Sequence, residues 1–302
     1  MLWIWIVLIS LFANAAAQLL DKFLLSESFP NPIVLTFWTA VWNGLGIVFI
    51  FFNFNFFPGW YLLIIALLSG TTLTIALQFL YMGLKTGEAS HIAPLVGGVV
   101  PVFTFIISYL WLGERLNFYQ QVAVLLLVLG ALLISFEKSK KHSGIHIGML
   151  WAVISGLLFA VSYVMARAVY LEETFATGFV WARIGAVAAA LPILLIPRFR
   201  KLIFAKSKKS KEKNRKAFTI LAINKTLASV SFVGMNFAVS LASATLVNAL
   251  AGLQYAVLFI LIYICTKKFP KFFKEQFTRG EIVQQIMAIV LIVVGLGFIV
   301  LS

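Results

Sequence analysis

Residues 87–114 read GEASHIAPLVGGVVPVFTFIISYLWLGE. The middle of this stretch is apolar enough to cross a bilayer, yet it contains Pro94 and Pro101 with Gly97 and Gly98 between them. Proline lacks a backbone donor, so Pro94 leaves the carbonyl of Ser90 without its helical partner, and Pro101 does the same to Gly97. In lipid no water replaces those bonds, and the freed oxygens must meet other protein groups or a wet cavity. The paired glycines also let a neighbouring helix approach closely. Such a weakened crossing is a place to bend and a place to bind; a helix merely kinked for packing is the plainer reading.

The whole chain shares this preference for lipid. It has 302 residues, 62% hydrophobic and 11% charged, with a mean hydropathy of +1.02. A soluble domain carries about a quarter charged residues. Spanning helices need roughly twenty apolar residues each, and ten such runs follow one another: 2–20, 33–52, 61–83, 89–112, 118–136, 146–168, 177–196, 218–239, 244–265 and 283–301. The expectation is an all-α integral membrane protein of ten transmembrane helices. The first run ends in ANAAAQ, like a cleavage site, but MLWIWIVLIS lacks the basic start of a signal peptide and reads as a retained helix. Cys265 is the sole cysteine, which excludes an internal disulfide and a thiolate metal cluster. His142 and His146 flank a short basic linker with no third ligand in view, so no metal is expected.

The net charge is +14, and its distribution orients the chain. The loops after runs 1, 3, 5, 7 and 9 hold 20 Lys and Arg, ten of them between Arg198 and Lys216. The opposite loops hold Arg115, with Arg167 near the end of run 6. The positive-inside rule then puts the odd-numbered loops in the cytoplasm of a multi-pass protein of the cell membrane, with both termini outside. The segment RFRKLIFAKSKKSKEKNRK has no reading helix or stacking platform beside its charge, so it implies contact with anionic lipid headgroups rather than nucleic acid.

Ten runs divide into two copies of five. GEASHIAPLVG (87–97) lies over ASATLVNALAG (242–252) at an offset of 155 residues, pairing Ala89 with Ala244, Leu95 with Leu250 and Gly97 with Gly252. QQVAVLLLVLGALLI (120–134) resembles QQIMAIVLIVVGLGFI (284–299), with Gly130 answering Gly295. The expected units are residues 1–138 and 144–302. Because five is odd, the copies enter the membrane from opposite sides and form inverted five-helix repeats, the geometry of alternating access.

The stretch LYMGLKTGEASHIAPLVGGVVPVFTFIISYLWLGERLNFYQQVAVLLLVLG, from Leu80 to Gly130, resembles the drug/metabolite transporter superfamily in its ten-helix EamA-like branch. The shared features are a small-residue entry, a proline-containing fourth helix closed by Glu114, and a glycine-bearing fifth helix. The resemblance implies transport and is nearly silent on substrate, since members carry amino acids, sugars, nucleotide sugars, lipid intermediates and drugs. Two features depart from it. Ala249 and Ala256 stand opposite Pro94 and Pro101, and the charges put both termini outside where the family usually has them inside.

All ten acidic residues fall at run ends or in loops, so a titrating carboxylate inside the membrane is not expected; Glu88 is the nearest substitute. Arg183 and Lys225 do enter the spans. Without an acidic partner at that depth each must snorkel or face a polar cavity. The planar fork of Arg183 suits an anionic or zwitterionic substrate. Polar residues complete the candidate substrate site: Asn14 and Gln18 one turn apart, Asn43, Gln78, Tyr81, Asn236, Gln254 and Tyr255. A lone Asn or Gln is more often glue between helices. The candidate hinge residues are Pro94, Gly97, Gly98, Pro101 and Gly252. The resulting expectation is a secondary transporter, exporter or exchanger, of small organic metabolites that needs no cofactor. No GxxxxGK[ST] loop is present to bind ATP. A flippase for a lipid-linked headgroup is the alternative. A scaffold or sensor is unsupported, and no catalytic set lies within the spans to suggest an enzyme.

Overall fold

Local chemistry starts several helices cleanly. The Asn31 side chain accepts from Ile33 N at 3.0 Å with Pro32 in the first turn. Thr174 and Ser243 cap later helices in the same way, each satisfying a backbone donor the helix leaves open. Gly113, in the left-handed region at φ 65°, turns the chain out of the crossing that holds the two prolines.

The structure is a computed structural model that describes residues 2–25, 31–87, 89–135, 147–204, 211–268 and 279–301. The helices are α1 (Leu2–Phe23), α2 (Pro32–Asn43), α3 (Trp60–Thr86), α4 (Ala89–Ile107), α5 (Phe118–Ser135), α6 (Ile147–Glu172), α7 (Phe175–Ala190), the short α8 (Pro197–Ile203), α9 (Lys211–Leu241), α10 (Ala244–Ala249), α11 (Ala251–Lys268) and α12 (Arg279–Leu301). The 3-10 segments Gly44–Phe51 and Leu191–Leu195 extend α2 and α7, and a π turn over Ser108–Leu112 extends α4. No strand occurs among the described residues.

Among the described residues, eight helical stretches are long and apolar enough to span a membrane, while α5 and α12 carry shorter apolar stretches, Phe118–Leu133 and Val283–Phe298. The protein is an all-α membrane protein. The expected junction at 138–144, the basic residues at 205–210 and 269–278, and Glu88 lie outside the described residues.

Where the chain bends differs from expectation. Helix α4 runs unbroken through Pro94 and Pro101. The break falls in the proline-free counterpart, at Leu250 between α10 and α11. Neighbouring helices can support a proline-bearing crossing, and α4 is packed against both α5 and α6.

The packing repeats itself. Helix α3 lies on α6 as α1 lies on α9; α4 meets α6 as α11 meets α1; α4 meets α5 as α11 meets α12. Three further contacts, α5 with α12, α2 with α7, and α4 with α10 and α11, join equivalent helices. The α5–α12 seam shows the sense of the relation. A Cβ on Gly130 would lie 3.0 Å from the Ala288 carbonyl oxygen, and one on Gly295 would lie 3.1 Å from that of Ala123. Moving back along α5 from Gly130 to Ala123 moves forward along α12 from Ala288 to Gly295, so the two helices are antiparallel and exchange roles across the seam. One pairing breaks the pattern: α3 packs along α7, whereas α9 only brushes α2.

Candidate functional site

The helices line a partly open cavity of about 130 Å³ whose wall follows the same internal relation. On α3 and α9 the lining residues pair as Leu73 with Ala228, Leu77 with Phe232 and Leu80 with Met235, at the 155-residue offset that relates Gly97 to Gly252. Ala93 with Asn248 and Val96 with Ala251 keep that offset on α4 and the α10–α11 crossing. Asn14 with Phe159 and Gln18 with Tyr163 pair α1 with α6 at an offset of 145. Positions related by these offsets thus line one cavity, but their chemistry differs. The α1 side offers amides where the α6 side offers rings.

Six of the ten substrate-site candidates line the cavity: Asn14, Gln18, Asn43, Tyr81, Lys225 and Gln254. Asn14 donates to Gln254 at 2.9 Å, joining the two halves. Gln78 instead accepts from Thr36 at 2.8 Å, and Asn236 accepts from Tyr170 at 3.2 Å; both serve as interhelical bonds outside the lining. Arg183 also lies outside the lining, buried between α2, α7 and α9. The side chain of Tyr255 lies outside the described residues. Of the hinge candidates only Gly97 reaches the cavity; a Cβ on Gly98 would meet Leu132 of α5 at 2.9 Å.

Lys225 corrects the expectation of an unpaired cation. Its Nζ donates to Asp21 Oδ1 at 2.9 Å and to the Tyr81 hydroxyl at 3.3 Å, and Tyr81 is 3.1 Å from the Thr39 hydroxyl. Asp21, two residues from the end of α1, is buried and lines the cavity. Near the end of α1, Asp21 resembled a loop residue. The available signal was its spacing: Asn14, Gln18 and Asp21 fall on one helical face.

Several buried polar atoms on the wall have no partner among the described residues: Gln18 Oε1, Asn248 Nδ2 and Gln254 Nε2. Buried polar groups are nearly always satisfied, so these atoms represent bonding capacity open to a guest or to water.

Two cationic ties sit at opposite ends of the cavity. At one end Lys22 Nζ donates to the carbonyls of Leu84 and Gly87, at 2.8 and 2.6 Å, where α3 ends. At the other, Arg167 Nη1 donates to the carbonyls of Val239 and Ser240, at 2.9 and 3.1 Å, where α9 ends. A cation satisfies the open carbonyls and the negative dipole end of each helix. Lys22 and Arg167 are 145 residues apart, and Leu84 and Val239 are 155 apart, so the ties are equivalent under the relation seen in the wall. Arg167 further pairs with Glu114 at 3.1 Å, and Glu114 accepts from Ser243 at 2.8 Å. Sequence reading assigned none of these residues a role in the site.

Residues 1–136 match the EamA-like transporter family. The match covers 136 of the 302 residues. A solved structure titled only "Crystal structure of protein" superposes with a TM-score of 0.64 at 17% identity, covering 97% of this chain and 96% of that one. It establishes likeness of fold over both halves. No curated protein matches the chain. The matched family is one of transporters.

Proposed function

We propose that the protein is a secondary transporter that moves small polar organic solutes by alternating access, with residues 1–138 and 144–302 as its two inverted halves. The observation that carries this reading is the cavity wall, built from equivalent positions of both halves and presenting Gln18, Asn248 and Gln254 with unused bonding capacity. A symmetric scaffold holding an asymmetric set of contacts has two related states, one open to each side, around a single site. The Lys22 and Arg167 ties supply the closures. Lys225, which joins Asp21 at the Lys22 end, and Ser240, at the Arg167 end, are separated on α9 by fifteen residues, about 22 Å of helix.

Movement of a lipid-linked headgroup is the second reading. The slack contact between α2 and α9, beside Thr39 and Asn43 in the wall, favours lateral entry from the bilayer. The test is reconstitution into proteoliposomes with untargeted analysis of solutes taken up or exchanged. The first reading requires at least one polar solute to cross faster than in empty vesicles. Transfer of a lipid headgroup between leaflets with no solute flux would replace it with the second.

A further inference from the structure

Arg183 is 3% exposed, and its Nε and Nη1 are buried without a hydrogen-bond partner. Among the described residues no carboxylate pairs with it. Its guanidinium carbon lies 4.1 Å from the ring centroid of Phe232 and 4.8 Å from that of Phe179. Its stem is held from the other side, where a Cβ on Gly46 would approach its Cγ to 2.9 Å. Asp21 already neutralises Lys225. Of these three buried charges, the one left over is positive.

We propose that Arg183 is an oxyanion subsite for the transported solute, covered in this state by the ring of Phe232. The inference rests on the transport reading and names the class of substrate: a small organic acid, carboxylate or phosphate monoester, with an apolar body. Ring faces attract a cation more weakly than an oxyanion does and leave its N–H groups unsatisfied. A guanidinium presents adjacent donors in a plane that matches a carboxylate or phosphate edge, which an ammonium cannot. Phe232 belongs both to the cavity wall and to the cover over Arg183. One rotation of that side chain therefore joins the cation to the cavity. Phe159, Tyr163 and Leu77 in the wall would take the apolar body.

The test uses full-length protein in phosphatidylcholine nanodiscs, with thermal unfolding and calorimetry as readouts. The probes are benzoate, phenyl phosphate and the uncharged benzamide. The expected result is binding of the two anions and not of benzamide. Arg183→Lys should weaken anion binding by roughly tenfold, because the ammonium keeps the charge but loses one of the paired hydrogen bonds of the planar fork. Phe232→Leu should strengthen anion binding and serves as the second variant if changes at Arg183 impair folding. Equal binding of benzamide and benzoate, or anion binding unchanged in Arg183→Lys, would overturn the proposal. Stabilisation by phosphatidylglycerol in place of phosphatidylcholine, lost with Arg183→Lys, would keep the oxyanion site and assign it to a lipid headgroup. Flux of neutral solutes with no anion preference would remove the subsite and leave transport standing; Arg183-dependent benzoate binding without any solute flux would do the reverse.

Discussion

Lys225 and Asp21 form the most heavily buried ion pair of the cavity wall, with side-chain exposures of 2% and 10%. Two charges taken out of water gain little net stability by meeting, but removing one strands the other, at a cost of about 3–5 kcal/mol. Lys225→Ala should therefore lower the melting temperature in detergent sharply. The double change Asp21→Asn with Lys225→Met should recover most of that loss while altering solute selectivity. If the single and double variants melt together, the pair is not acting as a buried ion pair. The Asn14–Gln254 bond is a different case, because each amide is neutral and Gln254 Nε2 stays open toward the cavity. Gln254→Leu should change binding far more than folding.

Among the helices, α5 and α12 pack antiparallel against each other. Their close approach depends on glycines facing the partner's backbone, and inserting a larger side chain into a packed seam costs about 1–3 kcal/mol. Gly130→Val and Gly295→Val should destabilise by similar amounts, since each meets the equivalent carbonyl, of Ala288 or of Ala123. Gly297→Val, with nothing within 4 Å of its Cβ position, should leave the melting temperature unchanged. Unequal effects at Gly130 and Gly295 would argue against the two-fold relation. Helix α4 and the α10–α11 crossing show how the same element is built by different means. One carries two prolines and stays continuous, whereas the other lacks them and breaks at Leu250.

For the molecule as a whole, alternation requires the two ties to act in opposite directions. A cysteine placed at Ser231 on the cavity wall, in a Cys265→Ser background, should be labelled by a membrane-impermeant maleimide from one side more readily with Lys22→Met. It should be labelled from the other side more readily with Arg167→Met. Sealed vesicles of both orientations give the readout, and a shift toward the same side in both variants would contradict the paired closures. Orientation is a separate expectation. Asn55→Cys should react in intact cells and Lys201→Cys only after permeabilisation, as the basic loops require.

Sequence alone determined the solvent of this protein and pointed to an internal repetition. Runs of apolar residues state the length of each crossing, and an offset such as that between Gly97 and Gly252 survives in the chain whatever the packing. It also marked six residues that meet at the cavity, because a polar group in a long apolar run has few places to go. Partnership belonged to the tertiary structure. Asp21 and Lys225 stand 204 positions apart, and only the packing of α1 on α9 makes a helix-end carboxylate into a buried counter-ion. Gln78 and Asn236 found bonds on neighbouring helices, while Arg183 was set behind a ring with its Nε and Nη1 unpaired among the described residues. Periodicity fixes the face on which a side chain stands; what lies opposite that face depends on how helices distant in sequence come together.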